Sequence, residues 1–297
     1  MTVTDTTAVA NQIQTFWSDM FMQEFRETHL LPTLVNKEYE GQISSEGGNT
    51  VRVSQIVAAT GENRTVGVDA DSFSSEDLVT KYVDIIANKR AVASFKFNDL
   101  AWLQSQIGKK DSEVRSALLH GVGAQINNYL YSLVVPSESA PDHLIPSITD
   151  MNATQLSAVR VLAGQAKWMR NKPWYGLLDP SFYGDVMDDT TLSSSDHTDD
   201  KPMVGGQIAQ PRYGFNLLED NTDGLISHLP TGTAAAADKS IFFHPDFLHL
   251  VMQTQPRFKV SDLHANEKFG FVISVDVVYG GKMGIDGDEK VIQVYNS

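Results

Sequence analysis

The clearest hydrophobic pattern in the chain lies in residues 111–135. Apolar side chains recur there at every fourth position: Val114, Leu118, Val122, Ile126 and Leu130. This spacing predicts a long amphipathic helix that Asp111 caps and Pro136 ends. Gly121 and Gly123 lie in its middle, where each costs about 1 kcal/mol of helix stability, so they indicate a close crossing by another part of the chain.

A second helical pattern, over residues 10–31, is rich in aromatic side chains. Its apolar positions are mostly three or four residues apart: Ile13, Phe16, Trp17, Met20, Phe21 and Phe25. This spacing predicts an amphipathic helix that ends before Pro32. Because the helix precedes any recognisable domain, we expect its aromatic side chains to pack on a neighbouring subunit.

Alternating patterns predict two long strands on either side of an acidic segment. Val51 and Val53 alternate with polar residues after a turn at 47–49, and β-branched and aromatic residues dominate 78–99. The segment between them, GENRTVGVDADSFSSED (61–77), is acidic and polar, which is typical of a flexible tip. We therefore predict a projecting β-arm, which is marginal in water unless it lies on another subunit. The candidate contact residues on this arm are Val51, Val53, Arg64, Phe73, Val83 and Ile85.

The remaining pattern alternates helices and strands. Further helices are predicted from Asn98 or Asp99 to 107, over 152–169, over 181–188 and from about Pro245. Further strands are predicted over 174–178, after Gly214, at SIFF (240–243), from Val260, and over 269–279. The chain closes on two apolar strands joined by a run of glycines in 277–297, and together these elements predict an α+β fold.

Composition favours a soluble globular chain. The 297 residues are 41 % hydrophobic and 20 % charged, which is enough for a substantial core. No apolar run approaches the roughly 20 residues that span a bilayer, so we expect no membrane association. The first residues lack the basic and apolar regions of a signal peptide. The chain has no cysteine, which excludes disulfides, thiolate metal sites and a cysteine nucleophile.

The charge argues against sequence-specific binding of nucleic acid. The formal net charge is −14, and the 23 Lys and Arg residues are scattered without forming a basic block. A protein that reads nucleic acid needs a cationic face. An acidic surface is nevertheless compatible with a protein that encloses nucleic acid without adhering to it.

The common catalytic and metal-binding motifs are absent from the sequence. It contains no phosphate-cradling glycine loop, no GxSxG and no HExxH. The acidic and His-containing stretch at 196–200 is Ser-rich and is predicted to be a solvated loop. His244 and His249 are five residues apart across a proline, which does not match a ligand pair on one helical face. Asp286-Gly-Asp-Glu is predicted to be a hairpin turn, and we predict no catalytic residue, cofactor or metal site.

With these segments placed, the chain resembles the major capsid proteins of tailed bacteriophages of the Hong Kong 97 type. The resemblance lies in the order of the elements and in recurring phrases along almost the whole chain. These phrases are FWSDMFMQEFRETHLLPTLVN followed by EGGNTVRVSQI, then WYGLLDPSFYGDVMDD, GQIAQPRYGFNLLEDN, FFHPDFLHLVMQTQPRFKV and GFVISVDVVYGGKMGIDGDEKVIQVYN.

The resemblance implies a fold and its division into parts. It implies an N-terminal arm over 1–36 and an extended β-loop over 37–97. It implies a peripheral domain, with a long spine helix, from 98–136 and 258–297, and an axial domain from 137–257. In such a fold the closing strands are expected to complete the sheet on which the long helix packs.

The resemblance also implies a function. It implies a shell protein that forms hexamers and pentamers, assembles in the host cytoplasm and encloses the phage DNA in the virion. Only about ten residues precede the first predicted helix, so we expect a separate scaffolding protein, together with a portal protein.

Two other functions remain open from the sequence. An encapsulin-like bacterial compartment shell shares the same fold and a similar length. A hydrolase with a scattered active site belongs to a different class and would behave as a compact monomer with turnover. Shells or rings in solution would separate the first two functions from the third.

Overall fold

The computed structural model describes most of the chain, as the following ranges: 26–46, 48–64, 75–104, 111–194, 203–204, 207–208, 211–230, 238–263 and 269–296. Most of the predicted N-terminal helix lies outside these ranges, and so do the candidate residues Phe16, Trp17, Phe21, Phe25 and Phe73. Within the described part, Pro32 stands in the first turn of a short helix instead of following a long one. A proline is tolerated there because the first backbone N–H groups of a helix have no partner within it.

The described residues form a mixed α+β fold. The helices are α1 (Leu31–Leu34), α2 (Glu40–Glu46), α3 (Asp99–Gln104), α4 (Asp111–Ser132), α5 (Ala153–Gln165), α6 (Pro180–Asp188) and α7 (Thr190–Ser193). The strands up to the middle of the chain are β1 (Thr50–Ile56), β2 (Thr80–Ile86), β3 (Lys89–Phe97), β4 (Leu144–Ile145) and β5 (Trp174–Leu178). The later strands are β6 (Met203–Val204), β7 (Gln207–Ile208), β8 (Phe215–Glu219), β9 (Lys239–Phe243), β10 (Leu248–Met252), β11 (Arg257–Asp262), β12 (Phe271–Met283) and β13 (Val291–Tyr295).

The long helix α4 packs on a sheet that we call the helix-backed sheet (β3, β10, β11 and β12). Strand β12 lies at its centre and pairs antiparallel with each of the other three strands. All residues of the predicted α4 stripe are buried, with exposed fractions between 0 and 9 %. They share one core with Ile273, Val275 and Val277 of β12. The predicted amphipathic helix is therefore confirmed.

The two glycines of α4 mark the close crossings that the sequence predicts. A Cβ atom at Gly121 would lie 3.6 Å from the Cβ of Ala93 in β3. A Cβ atom at Gly123 would lie only 2.9 Å from Cδ2 of His29, in the segment that precedes α1. A Cβ atom at Gly121 would make ordinary van der Waals contact, whereas one at Gly123 would require the ring of His29 to move.

A second sheet, which we call the mixed sheet, has the strand order β4-β13-β9-β5-β8. Its central strand β9 is buried along its whole length, because both of its faces are covered. Phe242 packs in a core with Phe182 of α6, whereas Ile241 and Phe243 join the core of α4. The mixed sheet thus connects the two cores of the molecule.

A loop follows β8 and leads into a turn of π-helix at Gly224–His228. Side-chain hydrogen bonds hold this loop against α4. Asn127 Nδ2 of α4 donates a hydrogen bond of 3.1 Å to Thr222 Oγ1. The hydroxyl of Tyr131, also in α4, donates to the carboxylate of Asp220. Burial, followed by the charge of Asp220, raises the pKa of Tyr131 well above its ordinary value, so its hydroxyl stays protonated.

The predicted β-arm is shorter at its base than the sequence pattern indicates. Strands β1 and β2 pair antiparallel from Thr50↔Ile86 to Ile56↔Thr80, and we call this pair the ribbon. The predicted second strand over 78–99 is two strands, because β3 turns away after residue 88 and pairs with β12. Both halves alternate in the same way, so the pattern alone does not separate them.

Three other expectations near the C-terminus are wrong. The segment after Pro245 is a single 3-10 turn followed by strand β10, not a helix. Gly280 and Gly281 lie within β12 and pair with β10, so they do not form the turn between the closing strands. The last strand, β13, pairs with β9 and β4 in the mixed sheet, so of the closing strands only β12 lies beneath the long helix.

Candidate assembly surfaces

One face of the ribbon packs on its own chain. Val51 and Ile85 are opposite each other and are 8 % and 0 % exposed. They form a small core with Ile43 of α2 and Val251 of β10. Val53 and Val83, the next pair outward, are half-buried against this core. These predicted contact residues therefore lie on the inner face of the ribbon, and Val51 and Ile85 have little surface left for a neighbouring subunit.

The opposite face of the ribbon is exposed, and we call it the outer face (Ile56, Tyr82 and Ile86). The exposed fractions of these three side chains are 65, 61 and 41 %. Beyond the ends of the two strands, Val57, Leu78 and Val79 are also exposed, at 38, 74 and 57 %. Large exposed apolar side chains that cluster on one face commonly mark a site of protein–protein contact.

An ion pair lies on the outer face of the ribbon. Arg52 Nε and Nη2 donate to the two carboxylate oxygens of Asp84 at 2.7 and 2.8 Å, across the ribbon. These hydrogen bonds lower the pKa of Asp84. The guanidinium carbon of Arg52 also lies 4.5 Å from the ring centroid of Tyr82. The charges of Arg52 and Asp84 therefore balance each other within the outer face. We expect the apolar side chains of the face to determine which surface it contacts.

Polar contacts set the direction of the ribbon and its loop. Lys81 Nζ is 2.8 Å from Asp286 Oδ1 in the turn after β12, which links the ribbon to the body of the chain. Arg64, a predicted contact residue, is in the loop beyond β1 and lies 2.8 Å from Glu62. Both pairs are exposed, so they orient the chain more than they stabilise it.

A second exposed apolar group lies at the end of the helix-backed sheet. Phe95 of β3 and Val260 of β11 both lie opposite Ile273 of β12, on the face that α4 covers elsewhere. Their exposed fractions are 42 and 66 %, and Phe269 nearby in the chain is 77 % exposed. The end of this sheet is therefore a further candidate contact surface.

A cationic cleft of about 500 Å³ opens between α5 and the start of β5 and β8. The guanidinium carbons of Arg160 and Arg170 lie 4.4 and 5.9 Å from the ring centroid of Trp174. Burial, and then repulsion by Arg170, lowers the pKa of Arg160. Lys172 in the same cleft pairs with Asp246 at 2.7 Å, but no carboxylate in the described ranges forms an ion pair with either arginine. The positive charge of the cleft therefore favours contact with a negatively charged surface.

One group of side chains has the chemistry of a metal site. Glu27, His29 and His120 offer ligand atoms that all lie within 4.8 Å of one another. His244 and His249, which the sequence analysis considered as metal ligands, are not part of this group. His249 is buried with an edge-on contact to Tyr39, with 5.3 Å between ring centroids, and His244 caps the turn at Pro245.

The sequence pattern missed the outer face although its residues are visible in the sequence. Ile56, Tyr82 and Ile86 occupy the alternate positions of the same strands as Val51 and Ile85. The signal was the apolar residues on both faces of β2, in YVDII (82–86), which indicate a strand that meets two surfaces. None of the helices that the structure describes is both long and apolar enough to cross a membrane.

The architecture is that of capsid proteins from bacteriophages. No family model matches the sequence, and no curated protein matches it. Solved phage structures do match over nearly the full length, and they confirm the fold resemblance that the sequence predicts.

Three of these structures show how far the likeness extends. The acid-stable capsid structure of Helicobacter pylori bacteriophage KHP30 matches with a TM-score of 0.72 and 9 % identity, over 100 % of this chain and 99 % of that chain. The capsid asymmetric unit of cyanophage Pam1 matches with a TM-score of 0.70 and 12 % identity, over 96 % of both chains. A structure from Mycobacterium phage Che8 matches with a TM-score of 0.70 and 18 % identity, over 95 % of this chain and 96 % of that chain. At these identities the likeness establishes the fold.

Proposed function

We propose that the chain is a major capsid protein that assembles, as many copies, into the head shell of a bacteriophage. The observation that carries this proposal is the full-length match to phage capsid structures, in which almost no part of either chain is left over. The uncovered outer face of the ribbon supports it, because a ribbon needs a partner surface that the described residues of one copy do not supply.

The proposal divides the chain as the sequence resemblance implies, with adjustments that strand pairing supports. Residues 1–36 are the N-terminal arm, and the extended loop is the ribbon with its tip. Strands β3 and β10 pair with β12, so we assign them with α4 to the peripheral domain. Strand β13 pairs with β9, so we assign it with the mixed sheet to the axial domain.

In this proposal the outer face of the ribbon lies on a neighbouring copy. Each interface is modest, but a closed shell gives every copy several of them at once, which multiplies the stability of the whole. The enclosed DNA is held by geometry and not by sequence-specific contacts, in keeping with the net charge of −14. A scaffolding protein and a portal protein are the partners that we expect during assembly in the host cytoplasm, and the virion is the final location.

A phage shell is favoured over an encapsulin-like compartment, because the three structures above come from phages. The same comparison gives no support to an enzymatic function, since it relates the fold to structural shells. The contents of purified particles distinguish the two kinds of shell. Genome-length DNA inside particles from infected cells supports the phage shell, whereas a packaged cargo protein without nucleic acid contradicts it.

The assembly test uses size-exclusion chromatography and negative-stain electron microscopy of the full-length chain, with and without its co-expressed scaffolding protein. We expect rings or closed shells. The variant Ile56→Ser/Tyr82→Ser, which removes apolar surface from the outer face, is expected to remain folded and to stay unassembled. The control Gln55→Ser changes an exposed polar residue on the other face of the same strand and is expected to assemble normally. A compact monomer from the unmodified chain under all conditions contradicts the proposal.

A further inference from the structure

Three metal-ligating side chains meet where the N-terminal segment crosses the middle of α4. Glu27 and His29 precede α1, and His120 lies in α4. The ring centroids of the two histidines are 4.8 Å apart. Glu27 Oε1 is 4.0 Å from His29 Nδ1. Two imidazoles and a carboxylate therefore converge on one small volume.

The helix is shaped to admit this crossing. A side chain at Gly123, three residues after His120, would collide with the ring of His29. His120 Nε2 lies 3.2 Å from the carbonyl oxygen of Glu27. A carbonyl oxygen only accepts hydrogen bonds, so this contact makes Nε2 the protonated nitrogen and leaves the lone pair on Nδ1. Such a bond to a second group commonly orients a histidine that ligates a metal.

His29 is the member of the cluster whose ring nitrogens are least well paired. Both nitrogens are buried, and although the backbone of His120 lies near the ring, neither nitrogen makes a hydrogen bond of good geometry with the described residues. Buried polar atoms in proteins are nearly always paired, so an unpaired imidazole next to two other ligands needs an explanation.

We propose that Glu27, His29 and His120 bind one transition-metal ion, for which Zn²⁺ is the best match. Two imidazole nitrogens and one carboxylate oxygen form a common zinc ligand set, with water in the fourth position. The ligand atoms must approach from within 4.8 Å to about 3.4 Å, the separation set by tetrahedral bonds of about 2.1 Å, which small side-chain rotations supply. Ca²⁺ and Mg²⁺ prefer all-oxygen ligand sets and are poor matches.

The bound metal would tie three parts of the chain together. Glu27 and His29 hold the segment that follows residues 1–25, and His120 holds the middle of α4. Glu27 Oε2 also lies 3.3 Å from the backbone nitrogen of Asp223, just before the π-helical turn. The anchoring of the N-terminal segment on α4 would then depend on metal. The site uses residues 93 positions apart, from Glu27 to His120, which is why the sequence pattern predicted none.

The first test uses the unmodified full-length chain, stripped of metal with a chelator. Titration with Zn²⁺ in a calorimeter is expected to show saturable binding at one site per chain. Titration with Co²⁺ is expected to give the visible absorption bands of a tetrahedral site. Absence of both signals overturns the proposal without any mutation, and it leaves the shell function untouched.

The second test assigns the ligands. His120→Gln and Glu27→Gln each remove one ligand while keeping a side chain of similar polarity, and each is expected to weaken Zn²⁺ binding at least tenfold. His228→Gln, at an exposed histidine in the π-helical turn, is the matched control and is expected to bind as the unmodified chain does. Far-UV circular dichroism checks that each variant is folded. Equal Zn²⁺ affinity in all three folded variants overturns the assignment and indicates adventitious binding elsewhere.

Discussion

The ribbon and the helix-backed sheet are built from neighbouring sequence but are covered to different extents. Strand β2 ends at Ile86 and strand β3 begins at Lys89, and apolar residues alternate in both. The inward face of β3 lies under α4, where Ala91 is 4 % exposed. The ribbon covers its inner face with α2 and β10, whereas the apolar side chains of its outer face stay 41–65 % exposed. The difference shows that an alternating pattern defines two faces but not what covers each of them.

The two regions therefore use burial for different purposes. In the helix-backed sheet, removing apolar surface from water stabilises the single subunit, at roughly 25 cal/mol for each Å² buried. On the outer face of the ribbon, the same free energy is gained only when a second copy arrives. Substitutions in the two regions should thus separate subunit stability from assembly.

The largest effect is expected in α4, at Leu118. Leu118→Ala should lower the free energy of unfolding of the unassembled subunit by about 2–5 kcal/mol, because it leaves a cavity against β12. Leu119→Ala is the matched control, since the adjacent side chain is 40 % exposed, and its effect should stay below about 1 kcal/mol. Urea denaturation followed by tryptophan fluorescence measures both. Equal losses would mean that α4 does not present one face to the sheet.

The next effect separates the two faces within the ribbon itself. Ile85→Ala should destabilise the subunit by about 2–3 kcal/mol, because Ile85 is fully buried against the chain's own core. Ile86→Ala, one residue later on the outer face, should change subunit stability by less than about 0.5 kcal/mol and should reduce the yield of shells.

Denaturation of subunits and light scattering during assembly give these two quantities. If Ile85→Ala impairs only assembly, or Ile86→Ala mainly destabilises the subunit, the assignment of the two faces is reversed.

A smaller effect is expected from acidification, through His249 at the base of the ribbon. Its imidazole is 6 % exposed, and burial lowers its pKa below the ordinary value of 6.5. The charged groups that act on it are Asp246, Lys290, Lys172 and Glu38. The unfolded chain takes up a proton near pH 6.5 and the folded chain does not, so stability is full above pH 6.5 and is lost as the pH falls below it.

The measurement is the urea midpoint of the subunit between pH 7.5 and 5.5. One such histidine contributes a slope of at most about 1.4 kcal/mol per pH unit. His249→Gln should flatten this slope, whereas the exposed-site control His228→Gln should leave it unchanged. A slope that is identical in both variants would assign the acid sensitivity to other groups.

The smallest effect is expected at the contact between the ribbon and the turn after β12. Lys81 and Asp286 are 52 and 43 % exposed, so their ion pair is screened by water and salt. Lys81→Ala should leave the urea midpoint unchanged within error. It should instead accelerate amide hydrogen exchange in residues 80–86, because the ribbon loses a tether to the body of the chain. Unchanged exchange would show that the inner-face core alone orients the ribbon.

Local patterns predicted the elements whose burial is one-sided and whose length is unambiguous. The α4 stripe needed no knowledge of the fold, since apolar residues at every fourth position from Val114 to Leu130 fit one face of a helix and do not fit a strand. The helix predicted over 152–169 forms as α5 with Asn152 as its cap, but it ends earlier, at Gln165. The Asp-Pro step that separates β5 from α6 is likewise explained by local chemistry. The order of these elements was enough to predict the class of fold that the phage structures confirm.

Local patterns failed where both faces of an element are covered. LHLVM (248–252) is a short apolar run that fits a buried helix and a buried strand equally well. It forms a strand because it pairs with β12. Gly280 looked like part of a turn, but it is a position within β12 where the carbonyl group of Ile86 passes too close for any Cβ. The sequence alone could not distinguish a glycine needed for a turn from one needed for this close approach.

The sequence by itself determined the buried stripe of α4, the order of most helices and strands, and that more apolar surface exists in the arm than a lone ribbon can bury. The tertiary structure alone decided that β3 joins β12 and not β1, that β13 returns to the mixed sheet, and that Glu27, His29 and His120 meet. The physical reason is that hydrophobic periodicity is a property of neighbouring residues, whereas strand partners and ligand clusters join residues far apart in the chain. Those long-range choices depend on which of several similar surfaces fit together once the whole chain is folded.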